Sequence, residues 1–267
     1  MKDLQLDDGG VPAEDRINRT VSWRGFLRLA AVAAGGSVAA LACGVEATLV
    51  APTAIPAMAT PPPTEPQAGV RVAENDPRIR AGPVEFQGNG DSLKGYFSRP
   101  TGPGPHPAGL VIHENRGLNP YIKDVARRLA KAGFIAFAPD ALLPLGGFPG
   151  NDDEGRAMQR SMDKQKIQQD FIAAAEYIKR HPNSNGKLGA VGFCFGGYMV
   201  NYLAAVDSKL IDAGVPYYGT PAVKELRQNI KAPLLVHLAE FDKRVNATWP
   251  EYESDLKAHQ VHYTMHM

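Results

Sequence analysis

The chain has 267 residues, 44% of them apolar and 21% charged, proportions that exclude a mainly disordered, collagenous or polytopic membrane protein. Its 29 Lys and Arg against 28 Asp and Glu leave a net charge of +1, so no bulk electrostatic attraction draws it to nucleic acid. Two cysteines, Cys43 and Cys194, build neither a disulfide scaffold nor a cysteine-based zinc site.

Residues 1–23 are polar without a periodic apolar pattern, and Arg24, Phe26, Leu27 and Arg28 then lead into the run LAAVAAGGSVAALAC, Leu29 to Cys43. A basic segment before a short apolar run is the layout of an export signal. Ser22-Trp23-Arg24-Gly25-Phe26-Leu27 resembles the bacterial twin-arginine motif, with Trp23 where the first arginine would stand. That translocase reads the arginine pair as an address, so Sec export and failed export both stay open. Ala57-Met58-Ala59 offers an A-x-A cleavage site far from the apolar run, while Ala40–Cys43 is a poor lipoprotein box because Leu41 is out of place. An uncleaved anchor is the alternative. Residues 1–59 are therefore assigned to an export-signal region. That puts the protein in the periplasm or outside the cell, or in the cytoplasm if export fails, with membrane contact only through an uncleaved signal. The stretch 52–68 is Pro-rich and extended; the spacer is taken as 60–74 and a single α/β domain as 75–267.

Within that domain, VEFQ (84–87) and LKGYF (93–97) flank a Gly-Asn-Gly-Asp turn and read as an antiparallel hairpin. GLVIH (109–113) is a short apolar strand, and 121–132 has helical spacing with Val125 and Leu129 on one face, closed by Gly133. FIAFA (134–138) is a second apolar run, 164–180 an amphipathic helix, and 187–191 a strand that runs into an apolar helix opening at Cys194. Strands at 213–217 and 233–238, a helix near 250–258 and an incipient strand at 262–267 complete the series. Short apolar strands alternating with helices imply a mainly parallel sheet with helices on both faces. Ligands on such sheets sit beyond the strands' carboxyl ends.

Three of those ends carry reactive side chains. Gly192-Phe193-Cys194-Phe195-Gly196-Gly197 follows a strand and opens a helix: it is the G-x-S-x-G nucleophile elbow with cysteine in the serine position. The glycines are needed because the turn is too tight for side chains two positions to either side. The helix N-terminus favours a thiolate at Cys194; alternatively Cys194 is a small buried residue in a Gly-rich turn. The second end is His113-Glu114-Asn115-Arg116-Gly117. By the logic of the elbow, the backbone N–H groups of Asn115 and Phe195 form an oxyanion hole. Glu114, on the residues alone, is an exposed carboxylate or a partner for Arg116. The third end is Leu238-Ala239-Glu240-Phe241-Asp242, where Asp242 is the chosen acid and Glu240 its competitor. The base is harder to find. His259, His262 and His266 follow Asp242 but lie at a helix end or in the terminal strand, and His113 and His237 read as satisfied core residues. Arg116, Tyr121, Arg156, Tyr217, Tyr218 and Trp249 are candidates for the pocket wall, with Arg116 alternatively a clamp for its own loop.

Together, HENRG at 113–117, APD at 138–140, GFCFGG at 192–197 and AEFD at 239–242 resemble the dienelactone hydrolase family of the α/β-hydrolase fold, over about 80–267. The resemblance implies hydrolysis of small lactones or esters through a Cys–Asp–His triad without any cofactor. The expected partner is a small-molecule ester or lactone, no metal site is expected, and the oligomeric state stays open. By position Cys194 matches the nucleophile and Asp242 the aspartate, and Glu114 matches a glutamate that helps set thiol activation. The family's histidine lies just after the last strand, and the sequence ends at Met267 inside that strand, lacking the last catalytic loop and the C-terminal helix. The expectation is a fragment of a longer frame, or a natural truncation, with impaired catalysis as written. A non-catalytic binding protein and a thioesterase or acyltransferase are the alternatives.

Overall fold

The computed structural model describes residues 70–88 and 92–267; the expected export signal, its cleavage sites and most of the Pro-rich spacer lie outside the described residues. The hairpin forms, with strands longer than the apolar runs suggest. β1 (Ile79–Gln87) and β2 (Ser92–Pro100) pair antiparallel from Ile79↔Pro100 to Gln87↔Ser92. β2 continues antiparallel onto β4 (Ile135–Pro139). From there every pairing is parallel, through β3 (His106–Ile112), β5 (Ser184–Phe193), β6 (Ala213–Tyr217), β7 (Leu234–His237) and β8 (Tyr263–His266). The sheet order is β1-β2-β4-β3-β5-β6-β7-β8. The chain winds outward from β3 to β4 and then crosses to β5 on the other side of β3. The connections after β3 and β5 therefore diverge and leave a crevice at their carboxyl ends.

Alternate residues of each central strand enter different cores. Leu110, Ile112 and Ala190 pack with helices α3 (Lys164–Arg180) and α4 (Phe195–Val206) on one face. Val111, Val191 and Val215 pack with α1 (Pro120–Lys131) on the other. α1 forms where the sequence places it: the Asn119 side chain accepts the Ile122 N–H at 3.1 Å, Pro120 occupies the first turn, and Gly133 at φ 101° ends the helix. Its Ile122, Val125 and Leu129 are fully buried, and truncating such a side chain to Ala typically costs about 2–5 kcal/mol.

Three helices follow no apolar periodicity and are absent from the sequence reading: α2 (Asp152–Ser161), α5 (Lys224–Arg227) and α6 (Lys243–Asn246). α2 buries only Gly155 and Gln159. Its local signal is a cap, with the Asn151 side chain accepting the Glu154 N–H at 2.8 Å and Asp152, Asp153 and Glu154 filling the first turn. α7 (Trp249–Ala258) covers β8 through Tyr252, Leu256 and Trp249.

Packing also starts before residue 75, so the spacer boundary moves. The N–H groups of Arg71 and Val72 donate to Oδ1 of Asp124 at 3.0 and 2.8 Å, and the Val72 carbonyl accepts from Arg127 Nε at 2.6 Å. Val72 is buried with Ile79 and Ala130. Asp124 is a fully buried carboxylate on α1 that also pairs with Arg127 and Arg128. Its need for donors draws in backbone amides that composition does not reveal. No helix among the described residues is long and apolar enough to cross a membrane.

Candidate active site

The elbow is present and strained. Cys194 stands between β5 and α4 at φ 54°, ψ −109°, a conformation a non-glycine residue keeps only where its surroundings enforce it. Its N–H donates to the Tyr217 carbonyl at 2.9 Å and its carbonyl accepts the Tyr198 N–H at 3.1 Å. A Cβ at Gly192 would lie 2.2 Å from the Gly196 oxygen, and one at Gly196 would lie 2.3 Å from the Ile112 oxygen. Both glycines are thus where backbones of β5, α4 and β3 touch, which is the steric requirement read from the motif.

The half-buried Cys194 side chain opens onto a cavity of about 440 Å³, shared with Asn115 and Phe195. Here one expectation is corrected: the thiol is pushed above its ordinary value, not below it. Burial is the largest cause; the Phe195 N–H bond and the Arg244 guanidinium lower the value, and the charges of Glu114 and Asp242 raise it. Desolvation outweighs what the helix N-terminus offers, so the sulfur holds its proton at neutral pH.

Glu114 is clamped from two sides. Its Oε1 accepts from Tyr218 OH at 3.1 Å, and its Oε2 lies 3.4 Å from Arg116 Nε. Arg116 also reaches Asp152, in the first turn of α2, at 2.5 Å, so it acts as the clamp for its loop and does not line the cavity. A Cβ at Gly155 would stand 2.2 Å from the Arg116 oxygen, which shows how closely α2 is pressed onto the 113–117 loop. That docking sets Arg156, Gln159 and Arg160 into one cavity wall, continued by Lys164 of α3, and Tyr218 and Arg244 are among the other lining residues. Of the other aromatic candidates, Tyr121, Tyr217 and Trp249 are not in the wall. Arg156 and Tyr218 were candidates from the sequence and lie in this wall, whereas Gln159, Arg160, Lys164 and Arg244 escaped the sequence reading; the signal for Arg244 was its place two residues after Asp242.

Asp242 caps α6, with Oδ1 accepting the Val245 N–H at 3.0 Å and Oδ2 4.0 Å from the Arg244 guanidinium. Its charge reaches the Cys194 thiol. Glu240, its competitor, is exposed in the preceding turn. Among the described residues no histidine lines the cavity. His113 is the satisfied core residue expected: its Nδ1 bonds the Glu114 carbonyl at 2.5 Å and its Nε2 accepts the Ala141 N–H at 3.2 Å. His237 departs from that expectation. It is half-buried, stacked on Tyr217 at 4.3 Å, and its Nε2 has no hydrogen-bond partner among the described residues. Burial, then neighbouring His266, pushes it down to about 4. His259, His262 and His266 are exposed. No group of three His, Cys, Asp or Glu side chains suited to a metal ion occurs among the described residues.

A mainly parallel sheet covered by helices on both faces, with a strand–turn–helix elbow at its carboxyl edge, defines an α/β-hydrolase fold. The profile of the dienelactone hydrolase family matches residues 93–267, and the chain belongs to that family of hydrolases acting on lactones and esters. The protein usf of Aquifex pyrophilus is 39% identical over 171 residues, which are 61% of this chain and 72% of that one. The carboxymethylenebutenolidase of Pseudomonas putida is 30% identical over 152 residues, 54% of this chain and 64% of that one. A dienelactone hydrolase structure from Anabaena variabilis superposes with a TM-score of 0.54 at 20% identity, covering 70% of this chain and 84% of the other, a likeness of fold.

Proposed function

We propose that the protein cleaves small lactones or carboxylic esters by attack of the Cys194 sulfur on the acyl carbon. An acyl-enzyme forms and the alcohol leaves; water then releases the acid and restores the thiol. The observation that carries this reading is the strained elbow, which presents the thiol to a cavity of about 440 Å³ alongside Asn115 and Phe195. The backbone N–H groups of those two residues receive the developing oxyanion, each typically worth ~10²–10³ in rate. Burial keeps the proton on sulfur, so attack needs a base. Glu114 assists from the adjoining loop, and Asp242 is the carboxylate that would orient an imidazole. Arg156, Arg160, Lys164 and Arg244 around the cavity favour a substrate carrying a carboxylate or another anion.

With no histidine lining the cavity among the described residues, the polypeptide is expected to turn over slowly, and added imidazole to raise its rate. Steady-state assays with p-nitrophenyl esters and unsaturated lactones test both statements. Cys194→Ala is expected to abolish the imidazole-stimulated rate, and full turnover by that variant would refute the mechanism. No turnover with or without imidazole would favour a binding protein on the same fold. We also propose that residues 1–59 direct export, which cell fractionation of the tagged full chain checks.

A further inference from the structure

We propose that Tyr218 is a positioning residue that holds the Glu114 carboxylate beside the Cys194 thiol; the inference rests on the reading of Cys194 as nucleophile and adds a residue to it. Tyr218 is a second non-glycine residue with positive φ, at 40°, and it faces the first. Its N–H donates to the His237 carbonyl at 2.7 Å, while the Tyr217 carbonyl takes the Cys194 N–H at 2.9 Å. A Cβ at Gly219 would fall 2.2 Å from the Gly197 carbonyl carbon, and one at Gly197 would fall 2.4 Å from the Tyr217 oxygen. The Tyr217-Tyr218-Gly219 turn is therefore wedged, backbone on backbone, against the first turn of α4. The direction of the Tyr218 phenol is tied to the elbow itself.

That phenol lines the cavity and donates to Glu114 Oε1 at 3.1 Å. Burial and the neighbouring Glu114 push its own titration far above the ordinary tyrosine range, so it stays a donor throughout any workable pH. Arg116 holds the other carboxylate oxygen. The groups whose charges meet Glu114 are Arg116, Tyr218, Tyr121, His113 and Cys194. Those acting on Cys194 are Glu114, Arg244, Asp242 and Tyr218. The hydroxyl disperses the negative charge of Glu114 and fixes where it stands relative to sulfur. Without it the anion is less neutralised, and the thiol becomes harder to ionise.

The test is the rate of alkylation by iodoacetamide against pH on the full chain, followed by mass spectrometry on the Cys194 peptide so that Cys43 does not contribute. Tyr218→Phe keeps the ring and is expected to raise the midpoint by about half to one pH unit, roughly three- to tenfold slower alkylation at neutral pH. In a Glu114→Gln background the same change is expected to alter the rate less than twofold. An equal shift in both backgrounds, or none in either, overturns the proposal, because a packing role does not depend on the carboxylate. Glu114→Gln alone is expected to lower the midpoint, and an unmoved midpoint overturns the proposal however well Tyr218→Phe folds. A wild-type Cys194 that does not react at any pH would defeat the nucleophile reading itself, and this inference with it.

Discussion

The Cys194 thiol lies between influences of opposite sign, and their ranking settles its charge. Burial is the largest and raises it; of the charges, Glu114 and Asp242 raise it and Arg244 lowers it. Arg244 is mostly exposed, with side-chain exposure of 69%, and its ion pair with Asp242 is long at 4.0 Å. Such a loosely held guanidinium at a cavity wall is free to meet an anionic substrate. Arg244→Ala is expected to raise KM for a carboxylate-bearing ester about three- to tenfold, as loss of one partly exposed charge contact would, and to leave KM for an uncharged ester of the same size unchanged. Steady-state kinetics on the matched pair of esters measure the difference. Equal effects on both would remove Arg244 from anion recognition.

Among elements, α2 contributes more to the cavity than to the core. It buries only Gly155 and Gln159, yet its docking through Gly155 and the Arg116–Asp152 pair places Arg156 and Arg160 in the wall. Gly155→Ala would put a methyl 2.2 Å from the Arg116 oxygen, and backbone on both sides cannot yield. The expected outcome is a helix displaced from the 113–117 loop, with KM raised severalfold. The cost to global stability is expected to stay within about 1–2 kcal/mol in urea denaturation, because little apolar surface is lost. Loss of several kcal/mol would instead make α2 part of the cooperative core. This helix escaped the sequence reading because apolar periodicity reports burial and α2 has almost none. The Asn151 cap and acidic first turn were its only local marks.

Across the whole molecule, one row of rings runs along the carboxyl edge of the sheet. Phe193, Tyr217, His237 and His266 are successive register partners on β5 to β8, stacked at 5.0, 4.3 and 5.4 Å. His237 titrates at about 4 in the folded protein against 6.5 for the free side chain. The unfolded chain therefore binds the proton more readily, and folding is favoured by neutral His237 above pH 6.5. That contribution is lost as pH falls from 6.5 through 4. After allowance for a half-buried ring it amounts to about 1 kcal/mol. Thermal melting across that range is expected to show the decline in wild type and a shallower one in His237→Gln. Parallel curves would place the acid sensitivity elsewhere.

The order of the strands and of the apolar-faced helices, the hairpin and the Gly-Phe-Cys-Phe-Gly turn were legible in the amino-acid order, because each depends on neighbours within a few positions; α2, α5 and α6, which bury little, were not. Apolar runs announce burial, and glycine announces backbone contact. Three features were decided only when distant segments met. Glu114 is clamped by Tyr218, 104 positions away, and Val72 docks on Asp124, 52 positions away. The proton remains on Cys194 because of how deeply the assembled molecule withdraws it from water. Desolvation and charge pairing are properties of what surrounds a group in space, and no local pattern encodes them.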